Sequence, residues 1–218
     1  MSVAVKGLEH LPVQGPFVLV ANHPLGGLDG LAIYDVIGKV RDRFASLNND
    51  IIMQVQPLEG LFIPVNKHGR QSKENLANLK DKIATGYGII IFPSGLVSRR
   101  HDGAIGDLAW KKTAITIARK NQIPLVPLFI EGRLSERFYK TYTWRKRLGI
   151  KANIEMILLP DEMYRLRGTR VTLHLGPPLQ PESLSNGEGD AAWTKRVRSL
   201  VYSLDPAKPA KNPHADAH

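Results

Sequence analysis

The chain has 218 residues and a formal net charge of +10 at neutral pH. It contains no cysteine, which excludes disulfide bonds and thiolate metal sites, and it is long enough for one sizeable core. We expect neither a transmembrane helix nor a signal peptide, because the required apolar runs are missing. A basic chain suits nucleic acid, anionic lipid or acidic partners such as a coenzyme or a carrier protein.

Short apolar runs alternate along the chain with segments of helical periodicity. In chain order, the pattern predicts a strand at 17–21, a helix at 28–40, strand-like pieces at 51–55 and 61–65, a helix at 72–84, a strand at 87–92, a helix at 107–121, strands at 124–130 and 171–175, and a helix at 191–204. This alternation predicts an α/β fold, a single-domain sandwich whose mixed, partly parallel sheet is flanked by helices. We predict a domain over residues 1–204 and a disordered tail over 205–218, which is rich in Pro and Ala.

The segment 22–29 follows the first predicted strand and reads Asn-His-Pro-Leu-Gly-Gly-Leu-Asp. Histidine is the most frequent general base, and Asp29 can accept a hydrogen bond from the ring of His23. Gly26 and Gly27 give the turn the freedom to bring the two side chains together. The structural alternative is that Asn22 caps a turn and that Asp29 caps the helix that follows.

A second corner, at 92–100, reads Phe-Pro-Ser-Gly-Leu-Val-Ser-Arg-Arg and follows another predicted strand. It is expected at the same edge of the sheet as His23. Two adjacent arginines, Arg99 and Arg100, suit an anionic ligand, whereas the plain alternative is a β-turn with solvated arginines. Ser94 does not stand in a G-x-S-x-G elbow, and we do not predict it to be a nucleophile.

Four blocks in this order resemble the PlsC-like glycerolipid acyltransferase superfamily. They are the segment 22–29, Gly-Leu-Phe-Ile at 60–63, Phe-Pro-x-Gly at 92–95 and Ile-Pro-Leu-Val-Pro at 123–127. The resemblance covers roughly residues 7–180. It implies transfer of a fatty acyl group from an acyl carrier protein or CoA thioester to a lipid hydroxyl, without a permanently bound cofactor or a metal. It also implies that His23 is the general base and that Asp29 orients it.

The resemblance further implies a set of substrate-binding residues, some of which depart from the family pattern. The set is Asn22, Gly26, Gly27, Phe62, Lys67, Pro93, Ser94, Gly95, Ser98, Arg99 and Arg100. Five residues instead of the usual four separate His23 from Asp29, and the second block lacks its usual arginine. In the third block, Ser94 and Val97 stand where the family has Glu and Arg. Because the family's arginines bind the phosphate of the acceptor, their loss predicts a different acceptor.

These departures resemble the branch of the superfamily once named after hemolysins, which acylates amino-acid lipids. The first block is most similar to the glycine-lipid members. We therefore predict an O-acyltransferase that acts on a lysolipid, specifically a lyso-aminolipid such as lyso-glycine or lyso-ornithine lipid. One alternative is a 1-acyl-glycerol-3-phosphate acyltransferase. An alternative of another class is a catalytically silent membrane- or lipid-binding protein.

The segment from Arg133 to Lys151 carries seven Lys or Arg residues and one Glu, interleaved with aromatic residues. This composition predicts contact with an anionic membrane surface and a peripheral position on the cytoplasmic face of the membrane. One alternative is an ordinary helix with its aromatic residues in the core. RNA binding is a weaker alternative because no RNA-recognition motif accompanies the segment, and we predict no nucleic-acid partner.

Overall fold

The computed structural model describes residues 2–49, 62–65, 73–101, 103–185 and 187–208. In these ranges the strands are β1 (Ser2–Lys6), β2 (Phe17–Ala21), β3 (Phe44–Asn49), β4 (Phe62–Val65), β5 (Gly88–Ile91), β6 (Arg99–His101), β7 (Ala104–Gly106), β8 (Leu125–Ile130) and β9 (Arg170–Leu175). The α-helices are α1 (Gly27–Ile37), α2 (Lys73–Ala84), α3 (Thr113–Asn121), α4 (Glu136–Arg147), α5 (Leu159–Arg165), α6 (Pro181–Leu184) and α7 (Asp190–Ser203). A 3-10 helix, Ile154–Leu158, leads directly into α5.

Seven strands form one sheet in the order β1-β9-β8-β2-β5-β3-β4, and β6 pairs with β7 in a separate hairpin. Neighbouring strands of the sheet are parallel except for β8 and β9. Because β2, β5 and β8 run parallel, their C-terminal ends meet at one edge, where α/β proteins place their sites. The predicted mixed, partly parallel sheet is confirmed.

The central strand β2 is buried along its whole length because helices cover both faces of the sheet. Phe17, Leu19 and Ala21 pack with α1 and α4, whereas Val18 and Val20 pack with α2, α3 and α7. Alternation of side chains along the strand thus supplies both cores. A strand held from both sides is a rigid support for the residues that follow it.

Most predicted elements are present, with boundaries that differ by a few residues. The predicted helix at 107–121 is wrong in its first turns, because α3 begins only at Thr113. Asp107 therefore does not cap this helix, and its carboxyl group has other partners, described below. The sequence pattern also missed β1, at one edge of the sheet, and β3, which lies between β5 and β4.

Several predictions fall outside the described residues. They concern the strand-like piece at 51–55, Lys67, the start of a helix at Ser72, and residues 209–218 of the tail. The backbone of Phe62 lies in β4, but its side chain is not among those described. Residues 205–208 form a turn after α7, with the N–H of Lys208 donating to the Asp205 carbonyl at 3.0 Å. The disordered tail stays a prediction.

Candidate active site

The C-terminal end of β2 and the first turn of α1 bring a histidine and an aspartate together. His23 lies two residues beyond β2, and Asp29 lies in the first turn of α1. The Nδ1 atom of His23 is 2.8 Å from Oδ2 of Asp29, and this oxygen also accepts a hydrogen bond from the N–H of Leu25 at 2.9 Å. The predicted base and the acid expected to orient it are therefore in contact.

The carboxyl group of Asp29 is completely buried. Burial raises the pKa of Asp29 above its ordinary value of 3.8, because a charge is costly away from water. The hydrogen bond and charge of His23 and the N–H of Leu25 oppose this shift in the pKa, while the charge of Asp107 adds to it. A buried carboxylate against an imidazole can fix the ring tautomer and stabilise the imidazolium.

Phe92 holds the imidazole of His23 from one face. The two ring centroids are 4.3 Å apart and the ring planes differ by 26°. The side chain of His23 is 16% exposed. Because Nδ1 faces Asp29, Nε2 is the nitrogen that can take a proton from a substrate. The sequence analysis placed Phe92 in the third block but did not predict its contact with His23, since the stacking depends on the register that pairs β5 with β2.

Asp107 accepts hydrogen bonds from both His23 and the third block, residues 92–100. Its Oδ1 accepts hydrogen bonds from the backbone N–H of His23 at 3.1 Å and from the hydroxyl of Ser98 at 2.6 Å, and its Oδ2 accepts one from Nε1 of Trp110 at 2.8 Å. The N–H of Ser98 donates to the His23 carbonyl at 2.7 Å. Asp107 is thus a buried site residue that sequence reasoning missed, and the spacing Asp-x-x-Trp is the signal that could have found it.

Asn22 has a structural role next to His23. Its side-chain oxygen accepts a hydrogen bond from the N–H of Ile130 at 2.7 Å, and its amide donates to the Ile130 carbonyl at 3.0 Å. These two bonds join the ends of β2 and β8. Substrate binding by Asn22 stays a prediction.

The two glycines between His23 and Asp29 are closely covered by α5. Gly26 adopts a φ of +70°, which disfavours other residues, and a Cβ there would lie 3.3 Å from the side chain of Leu159. A Cβ at Gly27 would lie 3.3 Å from Sδ of Met163. Substrate binding by these glycines stays a prediction. The positive φ favours glycine at position 26, whereas a side chain at position 27 would require Met163 to shift.

The third block forms a tight turn after β5. The hydroxyl of Ser94 donates to a backbone carbonyl two residues further on at 2.7 Å, and Gly95 adopts a φ of +66°. The carbonyl of Pro93 accepts a hydrogen bond from the N–H of Lys111 at 3.0 Å. A Cβ at Gly95 would lie 3.6 Å from Nζ of Lys111. The turn therefore has an ammonium group beside it, which the sequence pattern did not indicate.

Arg99 does not face an open site, which corrects the prediction that it binds an anionic ligand. Its side chain is 1% exposed, and its Nε and Nη2 atoms donate to Oε1 of Glu155 at 3.2 and 3.0 Å. The guanidinium lies over the rings of Phe138 and Tyr142. Nε of Arg145 lies 2.8 Å from Oε2 of Glu155. Burial lowers the pKa of Arg99, and the negative charge of Glu155 partly offsets this lowering of the pKa.

Arg100 points to the other side of β6 and is partly exposed. Its Nη1 and Nη2 atoms donate to the two carboxylate oxygens of Glu136 at 3.0 and 2.8 Å. This exposed ion pair connects β6 with α4. Ligand binding by Arg100 stays a prediction.

The basic segment 133–151 contains α4, which divides its aromatic residues between core and surface. Phe138, Tyr139 and Tyr142 are buried, whereas Trp144 is 67% exposed. The alternative that the aromatic residues of this segment belong to the core is therefore correct for three of the four. None of the helices in the described ranges is long and apolar enough to cross a bilayer.

A model of the acyltransferase family matches residues 1–208 of this chain. A curated relative, a lyso-glycine lipid O-acyltransferase of Phocaeicola vulgatus, is 41% identical over 203 residues, which are 93% of this chain and 73% of the relative. A protein of the same name from Bacteroides thetaiotaomicron is 39% identical over 203 residues, 93% of this chain and 75% of its own length.

A solved structure has a similar fold. It is the 1-acyl-sn-glycerophosphate acyltransferase PlsC of Thermotoga maritima, with a TM-score of 0.55 and 22% sequence identity over 96% of this chain and 74% of that one. The chain belongs to the acyltransferase family and is an enzyme that transfers acyl groups. Within the family it falls in the PlsC-like aminolipid branch, as the sequence blocks predicted.

Proposed function

We propose that this protein is a lyso-aminolipid O-acyltransferase, which moves a fatty acyl group from an acyl thioester to the hydroxyl of a lyso-glycine lipid. The contact between His23 and Asp29 at the edge of the sheet carries this proposal. Relatives that are 41% and 39% identical and are named for this reaction support the choice of acceptor.

In the proposed mechanism His23 acts as the base. Its Nε2 takes the proton from the acceptor hydroxyl, and the oxygen attacks the thioester carbonyl. The C–S bond then breaks, and the imidazolium returns the proton to the leaving thiolate, so an ester and a free thiol are formed. Asp29 keeps the proton on Nδ1 and stabilises the imidazolium between these steps.

Backbone N–H groups at the start of α1 are the proposed donors to the thioester oxyanion. The first N–H groups of a helix have no partner within it, and Gly26 caps α1 without a side-chain hydrogen bond. The N–H of Gly95, in the turn after β5, already donates to the Phe92 carbonyl at 2.9 Å. The N–H groups of Gly27 and Leu28 therefore fit the role better.

The third block favours an acceptor without a phosphate. Val97, which stands where the family pattern has an arginine, is 2% exposed, and Arg99 is bound to Glu155. A phosphate brought into such a site without its cations would be strongly unfavourable. An N-acylated amino acid carries one carboxylate, for which Lys111 beside Gly95 supplies one positive charge.

The proposal is tested by offering one acyl thioester and a panel of acceptors: lyso-glycine lipid, lyso-ornithine lipid and lysophosphatidate. We expect the highest kcat/KM with lyso-glycine lipid and background transfer in the variant His23→Ala. Preference for lysophosphatidate would favour the alternative reaction. No transfer to any acceptor, in a protein that still binds lipid, would favour the catalytically silent alternative.

We also propose that the protein docks peripherally on the cytoplasmic face of an anionic membrane through the region from α4 to α5. Six large apolar side chains are exposed there: Trp144, Leu148, Ile150, Ile154, Ile157 and Tyr164. Exposed Lys and Arg residues surround them, including Lys140, Lys146, Arg147 and Lys151. A lipid acceptor must leave a bilayer, and this region covers Gly26 and Gly27 beside the catalytic pair.

Sedimentation with vesicles tests the docking proposal. The double variant Trp144→Ser with Ile157→Ser should bind vesicles of phosphatidylglycerol and phosphatidylcholine about tenfold less tightly, because two large apolar side chains no longer enter the interface. Leu76→Ser is the matched control, since Leu76 is exposed on α2, which packs on the other face of the sheet. Equal binding by wild type and double variant would contradict the docking surface.

A further inference from the structure

A groove of about 870 Å³ lies between the β6–β7 hairpin and the C-terminal half of α7. Ile105 and Leu108 line it on the hairpin side, and Leu200 and Tyr202 line it on the helix side. The mechanism above assigns no role to this groove. It lies apart from α5, which covers the glycines of the active-site turn.

The groove adjoins the catalytic histidine through one residue. Asp107 lines the groove, and its Oδ1 accepts the backbone N–H of His23 at 3.1 Å. The hydroxyl of Tyr202 accepts a hydrogen bond from the N–H of Asp107 at 2.8 Å, and Nη2 of Arg198 donates to the Asp107 carbonyl at 3.1 Å. The wall of the groove is thus hydrogen-bonded to the backbone that carries the base.

The charge of the groove favours an anionic ligand. Arg196, Arg198 and Lys208 line it on the side of α7. Among the residues that the structure describes, Asp107 is the one acidic residue lining the groove. Its carboxylate oxygens face His23, Ser98 and Trp110 rather than the groove. Positive side chains and apolar side chains therefore share one concave surface next to the active site.

We propose that this groove binds the 4′-phosphopantetheine arm of the acyl donor, with its phosphate at Arg196 and Lys208 and its thioester end toward His23. The arm combines a phosphate with amides and methyl groups, which match the cationic and apolar lining. CoA and acyl carrier protein share this arm. The inference rests on the proposed function, and it lets donor and acceptor approach His23 from different sides.

The test compares wild type with a double variant that carries Arg196→Glu and Lys208→Glu. The donors are acyl-CoA, acyl carrier protein loaded with the same acyl group, and an acyl-pantetheine without phosphate. We expect the donor KM to rise about tenfold for a phosphorylated donor, with the acceptor KM unchanged, because charge-assisted bonds to phosphate are lost. The KM for acyl-pantetheine should be the same in both proteins. Which phosphorylated donor responds identifies the carrier.

Lys73→Glu together with Lys80→Glu, two exposed changes on α2, is the control for the same change in net charge. An unchanged donor KM in the double variant, or an equal rise with acyl-pantetheine, would overturn the inference. Direct titration with CoA and with acyl carrier protein measures donor binding without acyl transfer. It therefore distinguishes an error in the groove assignment from an error in the proposed function. If wild type binds a carrier and the double variant does not, the groove assignment stands even when no lysolipid is acylated.

Discussion

The backbone N–H of His23 donates a hydrogen bond to Oδ1 of Asp107 across 3.1 Å, although 84 residues separate the two in the chain. The same oxygen accepts the hydroxyl of Ser98. Asp107 therefore fixes the position of His23, the proposed base, relative to the third block. Its effect reaches His23 through the backbone, so Asp107 is a positioning residue rather than a catalytic one.

Asp107→Asn should lower both kcat and the free energy of unfolding, the latter by about 1–3 kcal/mol. The new amide can still accept from His23 and Ser98, but its N–H₂ group then faces the N–H of Trp110. Adding Trp110→Phe removes that opposing donor. The double variant should therefore recover part of the loss in kcat and part of the loss in the free energy of unfolding, which denaturant titration measures. A double variant with the same kcat and the same free energy of unfolding as Asp107→Asn would contradict this account.

His23→Ala should reduce kcat by about 10²–10⁴-fold, the range for loss of a positioned general base. The side chain is partly exposed at the end of β2, so the fold should survive. Turnover is measured with lyso-glycine lipid, and far-UV circular dichroism checks the fold. Turnover close to that of wild type would rule out the mechanism.

Asp29→Asn should leave a folded enzyme whose kcat is lower by about 10²–10⁴-fold. Oδ2 of Asp29 accepts from the N–H of Leu25 and also faces Nδ1 of His23, so an Asn side chain can place either its oxygen or its N–H₂ group there. With the oxygen there, both hydrogen bonds remain but the negative charge that stabilises the imidazolium is lost. With the N–H₂ group there, the bond from Leu25 is lost and the group donates to Nδ1. The proton then moves to Nε2, which can no longer act as a base. A matched measurement of KM should show little change, since the ring stays in place against Phe92.

The raised pKa of Asp29 makes a prediction about stability and pH. A carboxyl with a higher pKa in the folded protein binds its proton more tightly there than in the unfolded chain, whose pKa is near 3.8. Its contribution to stability therefore falls as pH rises from about 3.8 through the folded pKa. Denaturant unfolding should show wild type losing stability relative to Asp29→Asn over this window. A difference in the free energy of unfolding between wild type and Asp29→Asn that does not change with pH would contradict this prediction.

Arg99→Ala and Arg100→Ala should behave differently, although the residues are neighbours. Removing Arg99 leaves Glu155 in the core with Arg145 as its remaining cation, and the free energy of unfolding should fall by about 3–5 kcal/mol. Arg100 holds an exposed pair with Glu136, and its loss should leave thermal unfolding unchanged. Equal stability of the two variants would show that the buried pair is not structural.

Local patterns in the sequence were enough to predict the alternation of strands and helices and the contact between His23 and Asp29. Burial of β2 follows from its composition, and His23 and Asp29 lie six residues apart on a glycine-rich turn, so chain connectivity brings them together. The ordered blocks were also enough for the family, because block order does not depend on tertiary contacts.

Partners distant in the chain could not be found in this way. The sequence alone determined the family, the sheet type and the pairing of His23 with Asp29. Only the tertiary structure decided that Arg99 is a core residue bound to Glu155, 56 residues away, and that Asp107 supports His23 instead of capping a helix. The physical reason is that charge and hydrogen-bonding capacity are properties of a residue, whereas burial and partners depend on which segments the fold packs together.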